Sequence, residues 1–110
     1  MIIARRSLNL RQGQTDIEVM VRLYQPEPDG DAWTTRFEID WPEGPRRGAA
    51  TGLDSLQSLL LALQMIGSEI YTSNYHKAGA LAWHEPGQGY GFPVPQNLRD
   101  LLIGHDARFL

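Results

Sequence analysis

The chain has 110 residues and a formal net charge of −3, with 10 Lys and Arg against 13 Asp and Glu and no cysteine. A single domain of this size buries roughly 65% of its unfolded surface, enough for one core without covalent staples. Disulfides, thiolate metal sites and cysteine nucleophiles are excluded, and the basic clusters, Arg5-Arg6 and Arg46-Arg47, are pairs that offer nucleic acid no continuous stripe.

Residues 1–41 read as a β-meander. Ile2, Ala4, Leu8 and Leu10 share one face of a first strand that Arg6 interrupts, and Arg11 to Thr15 is a hairpin-length connection. Ile17, Val19, Val21 and Leu23 alternate with Glu18, Met20, Arg22 and Tyr24. Trp33, Thr35, Phe37, Ile39 and Trp41 alternate in the same way with Thr34, Arg36, Glu38 and Asp40. Such period-2 patterns belong to antiparallel strands with one face covered and one wet. The cluster Pro26 to Asp31 is a turn, because Pro fixes φ and Gly or Asp accepts positive φ. Pro42-Glu43-Gly44-Pro45 ends the third strand, and Arg46 to Gly52 is either a short fourth strand or an extended lead-in.

The main helix is expected over 53–72, with Leu56, Leu59, Leu60, Leu63, Ile66 and Ile70 as its core stripe and Gly67 at a close approach. Asp54 is a favoured N-cap, and Gln57 stands at capping-box spacing behind it. A strand is expected at 78–84 and a Gly/Pro loop at 85–95. A short helix is expected at 96–103, followed by a tail that is ordered only if Phe109 docks. The reading is one α+β domain over 1–110: a four- or five-stranded, largely antiparallel sheet on one long helix, with a short C-terminal helix.

Gly52-Leu53-Asp54-Ser55-Leu56 resembles the pantetheine-attachment motif of acyl carrier proteins, which would make Ser55 an attachment point. Carrier proteins are all-helical and display acids on the helix after that serine. This chain is strand-patterned upstream and carries Gln57, Ser58, Gln64 and Ser68 instead. Asp54 is therefore read as a cap. More broadly, Gly52 to Gln57 leading into Leu59 to Leu63, then Trp83 and Gly91-Phe92-Pro93-Val94-Pro95, resembles a family of small bacterial proteins of unknown function. The resemblance runs from the third strand to the final helix and brings no catalytic residues with it.

Candidate functional residues follow from what the helix and the loop leave over. Leu61 and Met65, four apart, form with Ala62 a second apolar strip away from the expected core stripe, to be covered by the C-terminal segment, a second copy or another protein, and the strip is read as an interface. Tyr90 and Phe92 stand in the glycine loop, where a partner could meet them. Gly87-x-Gly89-x-Gly91 does not open a helix, so it is no nucleotide fingerprint. Trp83, His84 and Tyr90 define a possible cleft. His76, His84 and His105 lack metal-ligand spacing, and no catalytic serine elbow occurs. The expectation is a non-catalytic protein-interaction module without metal or cofactor, self-associating or neutralising another protein such as a toxin. A small-molecule site or minor enzyme at the Trp83 cleft is the alternative. No signal peptide is recognised, and the apolar run at 59–66 is short of the roughly 20 residues of a membrane span. The expected location is the reducing cytoplasm.

Overall fold

The structure, a computed structural model, describes residues 1–110. Its strands are β1 (Ile2–Gln12), β2 (Thr15–Tyr24), β3 (Glu27–Asp29), β4 (Ala32–Trp41), β5 (Gly44–Gly52) and β6 (Leu81–Ala82). The helices are α1 (Ser55–Tyr71), α2 (Asn74–Lys77) and α3 (Gly104–Phe109), with a 3₁₀ turn at Gln96–Leu101 before the last. The fold is α+β, and the sheet is antiparallel with six strands rather than four or five. Across it the order is β6-β1-β2-β4-β5, and β3 continues the line of β2 beside β4. The extra strand comes from the proline cluster, whose Glu27–Asp29 pairs with Ala32–Thr34. Proline is tolerated there because β3 lies at an edge.

The period-2 patterns place the core as the sequence implies. Leu8 and Leu10 of β1, Val19, Val21 and Leu23 of β2, and Thr35, Phe37, Ile39 and Trp41 of β4 are all buried on one face. The opposite face is wet and carries cross-strand ion pairs such as Arg22–Asp40 at 2.8 Å and Arg36–Glu27 at 3.0 Å. Exposed pairs of this kind contribute little stability.

The helix presents a different face to the sheet from the one expected. Ser58, Ala62, Ile66 and Ile70 point inward, with Gly67 and Tyr71 buried on the flank, whereas Leu56 and Leu60 lie outside. Nearly every side of α1 is apolar, so helical spacing identifies stripes without saying which one faces inward. Residue size decides: the small Ser58 and Ala62 let α1 settle onto β4 and β5. Ser58 Oγ also meets Thr35 Oγ1 at 2.8 Å, satisfying both hydroxyls in the core.

Three further expectations are corrected downstream. The strand expected at 78–84 shrinks to Leu81–Ala82, because α2 and its exit occupy the residues before it. The helix expected at 96–103 is the 3₁₀ turn, ending at Leu101. The tail forms α3 and is held by Asp106, whereas Phe109 stays 68% exposed.

Candidate functional site

The helical layer is split. α1 covers β4 and β5, and the returning chain from Trp83 to Val94 covers the β1–β2 side. One buried carboxylate holds that return in place. Asp106 Oδ2 accepts from Tyr71 Oη at 2.5 Å and from the Tyr90 N–H at 2.8 Å, while Oδ1 accepts from the Gly91 N–H at 2.9 Å. Gly89 permits this contact, since at φ +87° an added Cβ would stand 2.4 Å from Asp106 Cγ. Burial, then the bond to Asp106, pushes the Tyr71 phenol above its ordinary range. Burial and the Asp106 charge push Tyr90 up to about 12. Tyr90 Oη also meets His76 Nδ1 at 2.5 Å, and burial pulls the His76 imidazole below 6.5.

Arg6 clamps the same return from the sheet side. Its Nη1 donates to the carbonyls of Tyr90 at 3.0 Å and Gly91 at 3.1 Å. Its guanidinium carbon lies 3.9 Å from the Trp83 ring centroid and 4.8 Å from that of Phe92. Burial draws the Arg6 pKa down, and Asp106 offsets part of that. The residue that broke the apolar pattern of the first strand is thus the cation between two aromatic rings. On the other flank Gly67 meets the return directly, where an added Cβ would be 1.9 Å from the Pro93 carbonyl oxygen.

These contacts leave an apolar groove open beside α1, about 280 Å³ in volume. Its floor is Ala4, Val21 and Leu23, and its walls are Leu63 and Phe92-Pro93. Leu60 and Leu56 continue the Leu63 flank toward the helix N-terminus, three and seven residues back. Leu56 is 61% exposed, Leu60 52%, and Leu53, just ahead of the helix, 84%. The only charge on α1, Glu69, is turned to the other side and paired with Arg46 at 3.0 Å. No charge on the helix interrupts this leucine flank.

A second hollow, about 360 Å³, lies under Trp83, His84 and Glu85, closed by Gln88 and His105. His84 holds a left-handed backbone at φ 58°, a conformation that residues other than glycine rarely adopt. Its ring is 4.7 Å from that of Trp83. No three His, Asp or Glu side chains come together to hold a metal ion.

The expected site residues fall into separate groups. Asp54 caps α1, with Oδ1 accepting from the Gln57 N–H at 2.7 Å. Gln57 Oε1 in return accepts from the Leu53 N–H at 2.6 Å, one residue earlier than an ordinary capping box. Leu61 is 37% exposed, and Met65 is half-buried against the core. Tyr90 and Phe92 are buried, Phe92 as part of the groove wall, because Asp106 and Arg6 draw the loop onto the sheet. Trp83 and His84 do share a hollow, but Tyr90 is not among its lining residues. The Leu56/Leu60 flank was missed because its spacing reads equally well as core. Gln88 and His105 come together only through the chain return, and their separation in sequence carries no signal.

No helix is long and apolar enough to cross a membrane. No curated protein and no solved structure matches the chain. The α1 flank, the groove floor and the Arg6-clamped return all lie within residues 4–94, the span that matches the family model described as a domain of unknown function, DUF6968, and the chain belongs to that family.

Proposed function

We propose that this chain is a non-catalytic protein-interaction module that docks a partner protein on the Leu56/Leu60 flank of α1 and the adjoining groove. The observation that carries this reading is the exposure of Leu56 and Leu60, with Leu53 just ahead of them, on the flank of a helix whose sole charge is engaged elsewhere. Isolated exposed leucines are ordinary, but a row of them continuous with an apolar groove is the form taken by surfaces that bury against protein. A neutralising partner of another protein, such as an immunity-type role, is one form of this activity. A cysteine-free chain suits the reducing cytoplasm for it.

The test compares the native chain with Leu56→Asp/Leu60→Asp as baits, with near-ultraviolet circular dichroism checking that both are folded. A stoichiometric protein captured by the native chain and lost by the folded variant supports the reading. Equal capture by both overturns it.

A second reading places a small planar molecule in the Trp83–His105 hollow. It rests on the left-handed backbone of His84, since unfavourable backbone conformations tend to persist where a side chain has to be aimed. Ligand-induced quenching of tryptophan fluorescence that His84→Gly abolishes would favour it over protein docking.

A further inference from the structure

The opposite side of α1 bears on a separate matter, the edge of the sheet. β5 pairs with β4 along its full length, Trp33 with Gly52 through Trp41 with Gly44, in unbroken register. Its other edge pairs with nothing. Monomeric proteins protect such edges with charge, proline, bulges or short strands. Here Pro45, Arg46 and Arg47 guard one end, while Gly48-Ala49-Ala50-Thr51-Gly52 has neither charge nor bulge.

We infer that a second copy of this chain pairs with β5 antiparallel about a two-fold axis at Ala50, and that Leu61 and Met65 of the two α1 helices pack together across that axis.

Three pieces of geometry agree. The first is lateral. α1 rests on both β4 and β5, and strands in a sheet lie about 4.8 Å apart. Continuing the sheet through a two-fold puts each helix about 5 Å from the axis. The two helices are then about 10 Å apart, close to the interaxial distance at which helices pack.

The second is axial. Gly52 lies against Ser58, where an added Cβ would be 2.5 Å from the Ser58 nitrogen, and Arg46 reaches Glu69 at the other end. The five residues from Ser58 to Leu63 rise about 7 Å, as do the two strand residues from Gly52 to Ala50. Leu63 is therefore level with Ala50, and Leu61 and Met65 straddle the axis.

The third is the side of the helix. The small residues of β5 that face α1, Ala50 and Gly52, let the helix ride near the edge. Helical spacing turns Leu61 and Met65 away from the Gly67 flank that meets Pro93, toward that edge.

The pairing is self-complementary. Gly48 meets the partner's Gly52, Ala49 meets the partner's Thr51, and the guarded end stays outside the ladder. Arg46 and Arg47, paired with Glu69 and Glu38 of their own chain, then lie alongside the Leu53-Asp54 corner of the other copy and add cationic charge beside its acid. This interface goes beyond the proposed docking on the Leu56/Leu60 flank and uses the opposite side of the helix.

Sedimentation equilibrium of the native chain is expected to give twice the 12.4 kDa chain mass. Leu61→Asp, an exposed position, should give the single-chain mass with an unchanged near-ultraviolet spectrum, and Leu56→Asp should keep the double mass. The chain has no cysteine of its own, so the register can be read by oxidation. Ala49→Cys mixed with Thr51→Cys should cross-link faster than either variant alone. A single-chain mass for the native protein up to millimolar concentration overturns the inference. So does a double mass that survives Leu61→Asp, or cross-linking that ignores the register.

Discussion

Replacing Asp106 tests whether one carboxylate outside the family-matched span organises the return from Trp83 to Val94. Asp106→Ala leaves the Tyr71 hydroxyl and the Tyr90 and Gly91 amides without an acceptor. Each orphaned buried donor costs about 1–3 kcal/mol, less wherever water can enter the space left behind. The three together come to about 3–5 kcal/mol, a large share of the 5–15 kcal/mol typical of a small domain. Asp106→Asn keeps the shape and one acceptor oxygen. If that oxygen serves Tyr71 and Tyr90, the new amide faces the Gly91 N–H donor to donor, for a loss of about 2–3 kcal/mol. Urea unfolding followed by tryptophan fluorescence measures both losses. Amide hydrogen exchange at Tyr90 and Gly91 shows whether the opening is local, with protection falling there first and remaining in β2 and β4. A loss under about 1 kcal/mol for Asp106→Ala, with those two amides still protected, would refute the reasoning. If the alanine variant does not fold, the asparagine variant carries the same comparison.

Three other expectations concern the same network and the start of α1. Tyr90 has its folded pKa raised from 10.0 to about 12, and Tyr71 shifts in the same direction. Their stabilising contribution is fully present below 10.0 and disappears as pH rises through the folded values, so Tyr90→Phe should flatten stability across that alkaline window. His76 is depressed below 6.5, so its contribution is complete above 6.5 and is lost as pH falls through the folded value. His76→Asn should reduce that acid-side slope, and an unchanged slope in urea titrations at stepped pH counts against the buried imidazole. Asp54→Ala removes the acceptor of the Gln57 N–H and should cost about 1 kcal/mol. Thermal unfolding reads the loss, and a midpoint equal to that of the native chain rejects Asp54 as a contributing cap.

Local pattern was enough for the elements whose two faces differ. β2 and β4 alternate apolar with polar residues, and a one-residue slip would turn all of Val19, Val21, Phe37 and Ile39 to water, so their buried face was legible in advance. The Asp54 cap was legible for a similar reason, because its acceptor and its donor lie three residues apart in sequence. α1 had no such contrast. With leucine on several sides, its inward face depended on which side chains were small enough to let the helix reach β4 and β5, and that is a property of the packed sheet.

The site is mostly tertiary. Leu61 and Met65 were found by spacing, but their position above the β5 edge depends on where the helix sits. Tyr90 and Phe92 read as presented by a glycine loop until Asp106 and Arg6, 16 and 84 residues from Tyr90, drew them inward. The sequence alone determined the alternating strands, the capped helix and the absence of thiol chemistry, because each rests on neighbouring residues or on composition. Only the tertiary structure decided which leucines remain in water and which edge stays unpaired, because both depend on contacts between segments far apart in the chain.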